Sequence, residues 1–334
     1  MIIRTKGHPR AGMIGNPSDG YFGKTISFAF GNFEAEVVLF ESPELEILPA
    51  ERDHSRFDGI ASLARDVRLH GYYGGLRLLK AAIKRFHDYC TENGVTLDER
   101  NFTMRYSSNI PAQVGLAGSS AIITAAMRAL MAFYGVSIPK PILAGIILAV
   151  ENNELKIPAG LQDRVTQVYE GLVFMDFNRP LMEKQGHGNY EPLNIELLPP
   201  VYIAYRTELS EGTEVFHSNI RERWNRGEPE VVNAMKNWAA LTDQFREVLL
   251  AGQKEKIGPL IDAGFDQRRT IYKISEGNDR MVQTARSCGA SATFTGSGGA
   301  ICGTYSDAAM FHRLEQSLSK IGCRVIKPHF VKSA

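Results

Sequence analysis

From Tyr73 to Asn93 the apolar residues Leu76, Leu79, Ile83, Phe86 and Cys90 recur at spacings of three and four. They make one face of an amphipathic helix, and Gly94 stands where such a helix ends. Residues 25–41, TISFAFGNFEAEVVLFE, hold two β-rich runs parted by Gly31-Asn32, a hairpin signal. Asn101–Ser107 alternates weakly and reads as a strand, as does Gly171–Phe177. Between them lie a glycine-rich loop, Pro111–Gly118, and a helix of small residues from about Ser119. An apolar helix then runs from about Pro139 to Glu154, and a further helix starts at Leu161.

Past Pro199-Pro200 the pattern changes. A strand at Val201–Arg206 precedes mostly helical sequence to about residue 289, including the polar helix Glu230–Leu250. Short β segments return at Ala292–Thr295, Ala300–Thr304 and Cys323–Pro328, with a helix between the last two. Strands and helices in mixed order predict an α+β fold, not a doubly wound parallel sheet. The break predicts two domains, residues 1–195 and 196–334, as the chain length of 334 also suggests.

Composition narrows the function classes. With 44% hydrophobic and 22% charged residues, disorder and fibrous structures are excluded. Lys+Arg 38 against Asp+Glu 37 leaves a net charge of +1, without the basic footprint of a nucleic-acid binder. The longest apolar run, Ile142–Val150, has about half the length that crosses a bilayer, and the N-terminus lacks a signal-like apolar core. Cys90, Cys288, Cys302 and Cys323 are widely spaced, with no CxxC pair. The expectation is a cytoplasmic protein with neither membrane nor nucleic acid as partner. Oligomeric state has no signature.

Three segments spend glycine and small hydroxyl residues where a fold ordinarily packs bulk. In PAQVGLAGSSAIITAA (111–126), Gly115 and Gly118 allow close approach of a ligand, and Ser119 and Ser120 open a helix. A helix start offers free N–H groups and the positive dipole end to phosphate. The same serines suit an ordinary N-cap equally well. No GxxxxGK[ST] is present, which disfavours a P-loop NTPase. The second segment, TFTGSGGAICGT (293–304), places Gly296, Gly298 and Gly299 in a turn between β runs, by itself a common strand connection. The third, PRAGMIGNPSDGYFG (9–23), gathers Arg10, Asn16, Asp19 and Tyr21 in a polar loop suited to a polyhydroxylated ligand. Glu151 and Glu154, three residues apart, fall on neighbouring positions of one helix face. Asp163, in the first turn of the next helix, can serve as general base, as orienting carboxylate, or simply as a charge offsetting the helix dipole.

In this order the segments resemble the GHMP kinase superfamily of galactokinase, homoserine kinase, mevalonate kinase and phosphomevalonate kinase. PRAGMIGNPSD resembles its first motif, PAQVGLAGSSA its phosphate loop and FTGSGGA its third motif, over residues 9–303. The strings GNPSDGYFGKTISFAFGNF, GYYGGLRLL, AGLQDRVTQVYEGLVFMDF and GHGNY resemble the glucuronokinase branch, and heptose-phosphate kinases share the GGxQD-type segment. The resemblance implies an N-terminal ribosomal-protein-S5-like domain, a C-terminal ferredoxin-like domain, and ATP with Mg²⁺. It places the ATP phosphates on Pro111, Gly115, Leu116, Ala117, Gly118, Ser119, Ser120 and Ala121, next to Gly296, Gly298 and Gly299. It makes Ser120 and Glu151 the metal ligands, with Ser119 as an alternative because GLAGSS is one residue longer than GLGSS, and Glu154 as an alternative because it lies nine residues before Asp163 where Glu151 lies twelve and the loop between differs in length among relatives. Asp163 and Arg10 fall at the catalytic positions, while Asn16, Asp19, Tyr21, Asp163 and Arg164 fall around the sugar. Asn-Pro-Ser-Asp stands where galactokinases have Glu-His-Thr-Asp, which argues against galactose.

The implied activity is transfer of the γ-phosphoryl group to the anomeric hydroxyl of D-glucuronate. Alternatives are another sugar or sugar phosphate (heptose 7-phosphate, galacturonate, galactose, arabinose) or a non-catalytic binding relative. A uronate also requires a cation for its carboxylate, and Arg164 and Arg206 are the candidates.

Overall fold

Twelve strands and nine helices alternate irregularly along the residues described in a computed structural model: 1–50, 53, 59–60, 74–206 and 220–333. The chain opens with β1 (Ile2–Gly7), β2 (Arg10–Ile14), β3 (Lys24–Ala29), β4 (Ala35–Ser42) and β5 (Glu46–Leu48). Then come α1 (Gly75–Glu92), β6 (Asn101–Ser108), α2 (Gly118–Tyr134), α3 (Lys140–Ala149) and a π-helical turn, Val150–Glu154. They are followed by α4 (Leu161–Tyr169), β7 (Leu172–Asp176), α5 (Arg179–Gln185) and β8 (Asn189–Leu193). The remainder is β9 (Val201–Tyr205), α6 (Pro229–Leu250), α7 (Ile257–Ile271), α8 (Glu276–Ser287), β10 (Thr293–Phe294), β11 (Ala300–Thr304), α9 (Ala308–Ser319) and β12 (Arg324–Ile326). Of the expected helix 73–93, Tyr73 lies outside the described residues, as do the first three residues of GYYGGLRLL and part of the helical reading after 206.

Three four-stranded sheets form, ordered β1-β4-β6-β5, β2-β3-β7-β8 and β10-β11-β9-β12. Every pairing is antiparallel except β5 with β6, the mixed pattern of an α+β fold. The third sheet uses only strands that follow residue 200. Its strand β9 shows the period of two directly. Val201, Ile203 and Tyr205 join the large core beneath the first two sheets, while Tyr202 and Ala204 face a second core with Phe265, Met281 and Leu314.

The hairpin expected at Gly31-Asn32 does not form. Strand β3 pairs with β2 and β7, and β4 pairs with β1 and β6 in another sheet. The glycine and asparagine serve a crossover that the C-terminal tail clamps: Gly31 N donates to the His329 carbonyl at 2.7 Å, and Asn32 Oδ1 accepts from His329 N at 2.7 Å. Both runs still bury Ile26, Phe28, Val37 and Leu39 in one core, so the apolar alternation was informative and the turn residues were not.

Strand β2 positions the site. It is buried along its length, since it also lies against the third sheet, where Gly12 N donates to the Thr295 carbonyl at 2.9 Å. Its register shifts between Gly12 and Ile14, a bulge next to the functional residues.

Candidate active site

Arg10, at the start of β2, ties the three sequence motifs together. Its Nε donates to Asp163 Oδ1 at 2.6 Å, and its Nη1 donates to the carbonyls of Gly115 at 2.6 Å and Thr295 at 2.9 Å. One buried guanidinium therefore joins the first turn of α4, the loop before α2 and the turn between β10 and β11. The rigid planar fork of arginine suits this bridging.

The two glycine segments meet backbone to backbone. Gly115 has φ +70°, and a Cβ there would lie 2.9 Å from the Gly298 carbonyl oxygen. A Cβ on Gly296 would lie 2.7 Å from the Gly115 carbonyl oxygen and 3.0 Å from Arg10 Nη2. Glycine is needed because each loop forms the other's wall. Two residues unremarked in the sequence hold this arrangement. Asn278 on α8 accepts from Gly299 N at 2.9 Å, and Gln167 on α4 donates to the Ala117 carbonyl at 2.8 Å.

Helix α2 begins at Gly118 after Ala117 in a left-handed conformation, so Ser119 and Ser120 occupy its first turn. Ser120 is buried and Ser119 is partly exposed. Ser120 Oγ donates to the Ala117 carbonyl at 3.2 Å.

The two glutamates do not share a face. The π-helical turn at 150–154 breaks the 3.6-residue period, and such turns recur at functional sites. Glu151 points inward and is 3% exposed, whereas Glu154 turns outward to Lys84 Nζ at 2.9 Å. Burial pushes the Glu151 carboxyl up, opposed by Arg164 beside it.

Arg164 is already committed. Its Nε donates to Glu151 Oε2 at 2.7 Å, its Nη2 reaches the same oxygen, and its Nη1 donates to Gly160 O at 2.8 Å and Asp163 Oδ2 at 3.1 Å. Arg206 donates its backbone N–H to Gly299 O at 2.9 Å, while its side chain lies beside Gly322.

A Mg²⁺ ion fits the donor set present. Both Arg164 contacts fall on Glu151 Oε2, which leaves Oε1 without a hydrogen bond among the described residues. This carboxylate oxygen and the Ser120 hydroxyl are both donors of the kind a hard cation prefers. Among the described residues no cluster of three His, Cys, Asp or Glu side chains could hold a metal unaided.

Asp19, in the short turn Ser18–Tyr21, accepts from Gln162 N at 3.2 Å. Burial, and then the nearby Asp163 charge, push its carboxyl up to about 6. Asn16 Nδ2 donates to the Gly296 carbonyl at 3.3 Å. The buried Tyr21 hydroxyl has no hydrogen-bond partner among the described residues, and the Arg221 guanidinium lies 4.3 Å over its ring. Gln162 Oε1 is likewise buried without a partner. Arg10, Asn16, Asp19, Asp163 and both glycine segments thus converge on one place, where unsatisfied polar atoms also collect.

Residues 77–171 match the model of the GHMP kinases N-terminal domain. Glucuronokinase 1 of Arabidopsis thaliana is 44% identical over 305 residues, covering 90% of this chain and 84% of that protein. The chain belongs to the GHMP kinase family. It is accordingly a phosphotransferase with an alcohol group as acceptor. Solved structures agree on the fold of this GHMP kinase. Lactococcus lactis galactokinase complexed with galactose superposes with a TM-score of 0.77 at 14% identity, covering 99% of this chain and 94% of that one. Streptococcus pneumoniae phosphomevalonate kinase in complex with phosphomevalonate and AMPPNP gives 0.74 at 14% identity, covering 99% and 100%. No helix among the described residues is long and apolar enough to cross a membrane.

Proposed function

We propose that this GHMP kinase transfers the γ-phosphoryl group of ATP to the anomeric hydroxyl of D-glucuronate, giving glucuronate 1-phosphate and ADP. The observation that carries the substrate is the 44% identity to a glucuronokinase along 90% of the chain. In this reading residues 1–195 carry the phosphate loop and Asp163, and residues 196–334 carry the glycine turn.

The loop 111–121 and the start of α2 hold the ATP phosphates through backbone N–H groups, with Gly296, Gly298 and Gly299 shaping the opposite wall. Ser120 and Glu151 hold Mg²⁺, which when bound offsets phosphate charge. Asp163, fixed by Arg10, orients the acceptor hydroxyl and takes up its proton as transfer proceeds. Asp19, Asn16 and Tyr21 bind the sugar. Positioning and charge compensation supply the catalysis.

ADP release measured across glucuronate, galacturonate, galactose, arabinose and heptose 7-phosphate tests this directly. Glucuronate is expected to give the highest kcat/KM. Turnover of another sugar without glucuronate overturns the substrate, and no ADP with any sugar overturns the assignment of a sugar kinase.

Two further results are expected. Glu151→Gln should raise the Mg²⁺ concentration for half-maximal rate by about tenfold or more. An unchanged Mg²⁺ titration would remove Glu151 from the metal site. Asp19, with its carboxyl near 6, is ionised above that pH and neutral below it. An ionised Asp19 accepts hydrogen bonds from sugar hydroxyls, so kcat/KM for the sugar should fall as pH drops through about 6. Asp19→Asn should be weak at every pH and lack that limb. A limb that persists in Asp19→Asn belongs to another group.

A further inference from the structure

Glucuronate differs from a neutral hexose by one carboxylate, and Arg164, a candidate to meet it, is taken up by Glu151, Gly160 and Asp163. Arg206, just past the end of β9, lies beside Gly322. A different arginine borders the sugar-binding turn.

Arg268 projects from α7 and is 4% exposed. Its one hydrogen bond among the described residues runs from Nη2 to the Asn16 carbonyl at 3.1 Å. No carboxylate among those residues lies within ion-pair distance of it. Its guanidinium sits 5.3 Å from the Phe294 ring centroid and 5.5 Å from that of Tyr272. Contact with Tyr272 and the more distant Asp19 carboxylate offset part of the desolvation, and burial still pushes the group below the usual arginine range. A buried guanidinium is costly unless an anion meets it.

The surroundings single out the anion. Asn16, whose carbonyl Arg268 holds, also binds the Gly296 carbonyl through its amide, so Arg268 borders the loops of the active site. The Tyr21 hydroxyl, on a residue 3% exposed, has no hydrogen-bond partner among the described residues. Asp19, Tyr21, Arg221 and Arg268 all act electrostatically on Tyr272, and Tyr21 and Tyr272 belong to one buried cluster.

We propose that Arg268 receives the carboxylate of the sugar acid, with the Tyr21 hydroxyl as a second donor and the anomeric hydroxyl at Asp163. This rests on the uronate-kinase reading above. The arginine fork matches a carboxylate bidentately, so the residue sets specificity for acidic over neutral sugars.

The test compares kcat/KM for two acid–neutral pairs with matching hydroxyl stereochemistry, glucuronate against glucose and galacturonate against galactose. In Arg268→Met the acid-to-neutral ratio for the preferred uronate should fall about 100-fold. In Arg268→Lys, which keeps the charge and loses the fork, it should fall about tenfold. An equal loss on acid and neutral sugars in Arg268→Met overturns the assignment and leaves the kinase reading standing. Should the Arg268 variants fail to fold, Tyr21→Phe removes the second donor and should lower the same ratio by about fivefold; an unchanged ratio overturns the proposal. Wild-type protein that prefers galacturonate, with the ratio lost in the variant, replaces glucuronate and keeps Arg268. Wild-type protein that turns over neutral sugars but no uronate overturns both.

Discussion

Asp163→Asn is expected to lower kcat by about 10³-fold, with the affinity for ATP changed by less than about threefold. The substitution is close to isosteric. The amide oxygen it introduces can still accept from Arg10 Nε, which now meets the carboxylate at 2.6 Å, so the bridge to the phosphate loop is kept. What disappears is the negative charge at the acceptor, together with the ability to take up a proton. Asp163→Ala removes the acceptor atom as well, so it should lose stability in addition to turnover. ADP release gives kcat, and a nucleotide titration followed by thermal shift gives ATP affinity. A kcat within about tenfold of wild type in Asp163→Asn removes the charge from the mechanism. If ATP affinity falls in parallel with kcat, Asp163 acts through Arg10 on the phosphate loop and does not act on the sugar.

Local chemistry was legible in the sequence where it depends on local pattern. Helix α1 follows from five apolar residues at spacings of three and four, and the loop that runs into α2 follows from Gly115, Gly118 and the small residues after them. What was not legible depends on contacts distant in the chain. Arg10 reaches Gly115 and Thr295, 105 and 285 residues away, and nothing around it marks it as a bridge. Glu151 and Glu154 separate because a π-helical turn overrides the regular period. Gly31-Asn32 carries turn chemistry, but the tail residue His329 uses it for a crossover. Arg268 did leave a trace. Ile257, Ile261, Gly264, Phe265 and Arg268 fall at helical spacing on the buried face of α7, and a charge on an apolar stripe is the pattern that calls for an explanation.

Replacement of Arg10 tests the bridge from the other side, and its effect on stability is expected to be the largest of any single substitution in the site. Arg10→Met leaves the carbonyls of Gly115 and Thr295 without the Nη1 donor and removes from Asp163 the Nε contact, while its contact with Arg164 stays. Breaking a buried ion pair from one side costs about 3 kcal/mol, less than for a fully enclosed pair because Asp163 keeps 20% of its side chain exposed. The chemical denaturation midpoint should fall accordingly, and kcat should fall by at least as much as in Asp163→Asn, because loop, glycine turn and carboxylate lose their common anchor together. Arg10→Lys separates charge from geometry. An ammonium is one point charge without a planar fork, so it can restore the ion pair to Asp163 but not the fixed alignment of all three segments. It should therefore recover most of the stability and little of the turnover. If Arg10→Lys retains kcat within about threefold of wild type, the alignment of the two glycine loops does not depend on the guanidinium, and their backbone contact at Gly115 and Gly296 is sufficient to hold the site.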